Sequence, residues 1–174
     1  MKKRVFVASY ILLAGLALSS VASAQSNPAQ SLSKLIQIVR NSNSQYQDVG
    51  AATAAGYGPF LGCVSGSDHG AMGIHYVNPN LLNGTLDPTQ PQALIYEPSN
   101  GQMSLVGVEF IVDATTWLKS NAGSPVLEGQ TFQFVDSPNR YNIPSFFELH
   151  VWAWRANPMG SFMDWNDNVT CTGQ

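Results

Sequence analysis

The chain has 174 residues, eight basic and eleven acidic side chains, a formal net charge of −3 and only 11% charged residues. That balance excludes the basic stripe needed to grip nucleic acid or an anionic membrane surface. The length and the 44% hydrophobic content fit one ordinary domain with a sizeable core.

In chain order, the first feature has the form of an export signal. Lys2, Lys3 and Arg4 precede an apolar run from Val5 to Leu18, and Ala22-Ser23-Ala24 gives the small-x-small cleavage pattern. The run is short against the roughly 20 residues of a membrane span. The expectation is a signal peptide over 1–24 and a single domain over 25–174, periplasmic or secreted, with no membrane attachment after cleavage. Without the signal, five basic residues face eleven acidic ones, a formal charge of −6.

Residues 25–57 predict a helix or helix pair. Asn27-Pro28 suits a helix start, and Leu32, Leu35, Ile36 and Val39 follow at helical spacing. Asn41 to Gln45 predicts a break. A second, alanine-rich segment from Tyr46 to Ala55 stops at Gly56. After Gly58-Pro59 the pattern changes to short apolar runs punctuated by glycine, proline and asparagine, which predicts strands and turns. The runs are Ile74–Val77, Ala93–Tyr96, Met103–Val112, Gly129–Phe134 and Phe146–Trp154, with a hairpin over 93–112 turning at Pro98-Ser99-Asn100-Gly101. Residues 155–171 predict a turn-rich tail. Helices followed by consecutive strands predict an α+β fold, with an antiparallel sheet or small β-barrel and helices on one side or end.

The two cysteines, Cys63 and Cys171, predict a disulfide bond in an oxidising compartment. Closing so long a loop contributes roughly 4–5 kcal/mol by the chain-entropy argument. A Cys63 nucleophile is the sharper alternative, but it has no recognisable local motif.

Side chains alternate faces along a strand. Over 146–154, one face carries Phe147, Leu149, Val151 and Ala153; the other carries Phe146, Glu148, His150, Trp152 and Trp154. An acid and an imidazole among aromatics do not compose an ordinary solvent face. Glu109 stands opposite the face of Val108, Phe110 and Val112, and a carboxylate in so apolar a strand must be exposed at an edge or buried with a partner. His75 is bracketed by apolar neighbours, and Glu97 ends its strand. Two histidines and a carboxylate from three strands are the ingredients of a divalent transition-metal centre of zinc, iron or manganese. The expected ligands are His75, Glu109 and His150, with loop residue His69 in reserve. Tyr76, Glu97, Glu148, Trp152 and Trp154 are expected around a ligand pocket, in which Glu148 or Tyr76 would assist proton transfer. Two alternatives stay open: a metal-free pocket for a small apolar or aromatic molecule, and an envelope interaction protein whose histidines serve only the core. The spacing matches neither H-x-H nor H-E-x-x-H, and "GCVSG" has its serine one place off the nucleophile elbow.

The stretches "AAGYGPFLGCV", "GAMGIHYVN", "LVGVEF" and "LHVWAWRANPMGSFMDWNDNVTC" resemble those of a group of small exported bacterial proteins of unassigned activity. Asp167 departs from the proline that the group carries after "DWN". The resemblance implies that the His75 and His150 stretches belong to one unit, and it implies no catalytic role.

Overall fold

The computed structural model describes residues 33–172. The expected signal peptide and the Asn27-Pro28 helix start lie outside them. The first element, α1 (Lys34–Asn43), buries Leu35, Ile36 and Val39 on one stripe. At its end the Asn43 amide turns back to the Val39 carbonyl at 3.1 Å, a local bond that competes with helix propagation. The chain tightens into a 3-10 turn over Ser44–Gln47 and restarts as α2 (Val49–Ala54). Asp48 caps that restart by accepting from the Gly50 N–H at 2.8 Å. The expected helix pair and the break between its members are both present.

Eight strands follow: β1 (Gly58–Ser65), β2 (Ala71–Val77), β3 (Ala93–Ser99), β4 (Gln102–Asp113), β5 (Val126–Leu127), β6 (Gln130–Thr131), β7 (Gln133–Val135) and β8 (Phe146–Val151). A short helix, α3 (Ala114–Trp117), leaves β4. Six strands form one antiparallel sheet in the order β1-β2-β3-β4-β8-β7, curled into a half-barrel, while β5 and β6 make a separate hairpin. The fold is α+β, helices first.

Several boundaries differ from the sequence pattern. The hairpin strand β3 runs to Ser99 through Pro98, because the turn is only Asn100-Gly101. Both residues have positive φ, 49° and 75°, the arrangement a two-residue hairpin favours. The expected Gly129–Phe134 strand is split among β6, a break at Phe132 and β7. The last strand stops at Val151, three residues short of Trp154, because the Trp152 N–H leaves the ladder for the Ser161 carbonyl at 2.9 Å.

The sheet has two unlike faces. Leu94 and Tyr96 of β3, Leu105, Val108, Phe110 and Val112 of β4, and Phe147, Leu149 and Val151 of β8 pack with α1 and Ala52 into one apolar core. The other face carries His75, Ile95, Glu109, Glu148 and His150. The parity expected for β4 and β8 holds. Strand β4 keeps it through an irregularity: Tyr96 pairs with Leu105 but Ile95 pairs with Gly107, so Val106 is an extra residue. Leu105 and Val108 thereby both stay in the helix-side core, while Val106 joins Ala71, Ile95, Trp152 and Val169 in a smaller cluster on the other side.

The tail is laid over the end of this second face. Asn166 bridges to Ala71, with each N–H donating to the other's carbonyl at 3.2 Å. At Gly70 (φ +66°) an added Cβ would lie 2.2 Å from the Asn166 carbonyl oxygen, so only glycine admits the tail there. The Cys63–Cys171 disulfide ties β1 to the end of the tail, as the two cysteines predict.

Candidate functional site

A histidine on β2 and another on β8 are separated by the two strands between them, three spacings or roughly 14 Å across a flat sheet. The curl closes that distance. Nε2 of His75 lies 3.3 Å from Nε2 of His150, with the rings perpendicular and their centroids 5.6 Å apart. Glu109, paired directly with His150 across β4 and β8, places Oε2 3.3 Å from the same His75 nitrogen. Gly107 helps make the approach feasible: a Cβ there would come within 2.9 Å of the Val151 carbonyl oxygen and 3.3 Å of the Trp152 ring. All three side chains are buried, His150 completely.

The electrostatics follow from that burial. His75 is held down to about 3, first by burial and then by the charge of His150. Burial also works against a charge on His150, but Glu109, Asp164 and Glu148 outweigh it and raise this imidazole to about 9. Glu109 is pushed well above the ordinary carboxylate range by burial. The positive charge of His150 opposes that rise and neighbouring Glu148 adds to it. His75 and Glu109 are at ion-pair distance, yet both shifts favour the neutral forms, so the contact is not a conventional salt bridge.

Three lone-pair donors facing one point at such distances have a simple chemical use. For a tetrahedral ion with bonds of roughly 2.0–2.1 Å, ligand atoms sit about 3.3 Å apart along each edge. The two edges that meet at His75 Nε2 have that length. All three donor atoms lie within 4.8 Å of one another. The donor set of two imidazoles and a carboxylate suits zinc, iron(II) or manganese.

His75 and Glu109 form the floor of an open cleft of about 1080 Å³. Its walls are largely apolar and include Phe60, Leu61, Leu82, Ile111, Trp117 and Ile143. No lysine or arginine among the described residues lines it. His150 does not line the cleft and stands behind the other two side chains.

The remaining expected residues divide. Glu148 lies two residues from His150 on the same strand face, buried, and raised in pKa chiefly by that burial. Trp152 stacks on the His150 ring at 6.1 Å and backs it rather than lining the cleft. His69 is exposed in the β1–β2 loop and lies outside the cluster. Tyr76 points to the helix-side core, against Tyr96, as its alternation with His75 requires. Trp154 also packs on that core, because the alternation that would have placed it beside His150 ends with the strand at Val151. Glu97 is occupied elsewhere: it pairs with Arg155 and accepts from the Thr170 N–H at 3.0 Å, clamping the tail.

Two residues at the site were not foreseen. Asp164 in the tail brings Oδ1 to 3.6 Å from His150 Nδ1. Tyr141 borders the cleft, donates to the Met72 sulfur at 3.2 Å and is kept protonated by burial. An acid inside the aromatic "FMDWND" run was the available clue to Asp164; nothing near Tyr141 distinguishes it from a loop tyrosine. Comparison of the chain with protein-family models, with curated proteins and with solved structures found no match.

Proposed function

We propose that this is an exported protein that binds a divalent transition metal through His75 Nε2, His150 Nε2 and Glu109, and presents it to a small molecule in the apolar cleft. The observation that carries the reading is the convergence of three donors, from three strands, on edges of 3.3 Å. Bound there, the metal would supply Lewis-acid activation of water or of a substrate oxygen. Glu109 would provide the negative charge, and the cleft would exclude bulk water around an uncharged ligand. Export is supported by the disulfide, which belongs to oxidising compartments. Among the described residues, no helix is long and apolar enough to cross a membrane.

Elemental analysis of the full chain, purified after export without chelator, tests it. The expected result is stoichiometric zinc, iron or manganese that disappears in His75→Ala and His150→Ala. Metal-free wild type that also fails to take up added zinc, with both variants of unchanged stability, would overturn it.

A second reading rests on the cleft alone. Phe60 and Leu61 are large apolar side chains left 39% and 54% exposed at its rim, a composition suited to a metal-free site for an apolar ligand. Trp117 in the wall would report such a ligand by fluorescence, with no dependence on chelator.

A further inference from the structure

His150 has a second nitrogen, and its surroundings are not those of a spare edge. Nδ1 is completely buried and has no hydrogen-bond partner. Asp164 Oδ1 stands at 3.6 Å, an ion-pair distance beyond hydrogen-bonding range. Glu148 Oε2 is also buried without a partner. Donor atoms of Glu148, His150 and Asp164 all lie within 4.8 Å of one another. Two of the three come from one strand face and the third from the tail.

A histidine that ligates a metal commonly steers its other N–H onto one carboxylate. That role needs a single acceptor within reach. Here Asp164 faces the nitrogen at ion-pair rather than hydrogen-bond distance, and Glu148, on the same strand face as His150, keeps a buried oxygen unsatisfied. With the ring nitrogen deprotonated and the acids ionised, the three side chains offer only lone pairs, which a cation can accept.

We propose that His150 Nδ1, Glu148 and Asp164 form a second divalent-cation site, so that the His150 ring bridges two ions through its opposite nitrogens. The proposal rests on the first centre described above only for the bridge; the second site has its own three ligands. The two sites use opposite edges of one ring and do not compete for a donor atom. Glu109, Glu148 and Asp164, when ionised, carry three negative charges, of which one dication balances only two. Binding of the second ion displaces the proton on Nδ1 to solvent, and the nitrogen lone pair passes to the metal. Mixed nitrogen and oxygen donors favour zinc, copper or cobalt over calcium and magnesium. Asp164, with its side chain 22% exposed and accepting from the Gln133 amide at 2.8 Å, marks the entry from the surface.

Equilibrium dialysis of the full chain against cobalt(II), followed by elemental analysis, tests the proposal. Two cobalt ions per wild-type chain are expected, with one in Asp164→Asn and one in Glu148→Gln. One ion in the wild type and still one in Asp164→Asn would overturn the second site and leave the first standing. One ion retained in His75→Ala but lost in Asp164→Asn would uphold the second site and sink the first. No ion in any form would remove both. Copper(II)-loaded wild type gives a check that needs no variant: ions joined through one imidazole couple magnetically, so the low-temperature spin signal should fall well below two spins per chain. A full, uncoupled two-spin signal would rule the bridge out.

Discussion

The two faces of one curled sheet are built by opposite means. The helix-side face, with Leu94, Phe110, Leu149 and Val151 all at 2% exposure or less, is closed by apolar packing of α1 and α2. The histidine face holds four buried titratable groups, His75, Glu109, Glu148 and His150, an open cleft beside two of them, and a cover made of turn-rich tail rather than regular structure. Alternate residues of β4 and β8 serve both. Stability and chemistry are therefore segregated by parity along the same strands, and each can be perturbed with little effect on the other.

The sharpest test of that segregation removes packing on the helix side. Phe110→Ala should cost about 3–5 kcal/mol of folding stability, read by denaturant melts, while metal stoichiometry in the fraction that remains folded is unchanged. A comparable loss of metal would show that the faces are coupled. The second prediction concerns the cover. Cys63→Ser frees the tail's end and should cost about 2–5 kcal/mol. Hydrogen exchange should rise first at Ala71 and Asn166, the bridge that seats the tail, before it rises at Leu149. Uniform acceleration would mean that the tail is not a separable cover.

The smallest effect is a dependence on pH whose sign reverses with metal. In metal-free protein, His150 is raised from its usual 6.5 to about 9. The stability it contributes is full below 6.5 and lost as pH climbs through 9. His75, lowered to about 3, contributes above 6.5 and loses that contribution as pH falls toward 3. Chelator-treated protein should thus melt at lower temperature at pH 9 than at pH 6.5. Metal-loaded protein should show the reverse, because ligation requires both nitrogens to be free of protons. Parallel trends in the two forms would refute the shared-ligand assignment.

Much of this arrangement was legible in the sequence, and for one reason. Strand alternation is local, so "FFELHV" and "VGVEF" disclosed which residues share a face before any contact was known. Pairing of Glu109 with His150 followed from register, and the convergence of His75 on both followed from curl, which no short window contains. Strand β1 was missed because its pattern is broken three ways: Pro59 and Gly62 interrupt it, Leu61 takes a positive φ of 60°, and the register shifts between Phe60 and Val64. Trp154 was assigned to the pocket by alternation carried past the end of the strand, and Tyr76 by its place next to His75; strand end and alternation sent both to the helix side. Asp164 stood out only as an acid within an aromatic run, because its approach to His150 depends on how an irregular tail folds back.

The extra residue in β4 has a consequence for how this chain tolerates insertion and deletion. Val106 is the single step that keeps two stretches of the strand in phase, with Leu105 and Val108 inward toward the helices and Glu109 outward. Deleting it would leave sequence composition nearly untouched yet invert half the strand, sending either the carboxylate into the helix-side core or the leucine toward the small cluster beneath the tail. The chemistry of the centre is thus written partly in arithmetic: an odd count where an even one would have sufficed for the ladder.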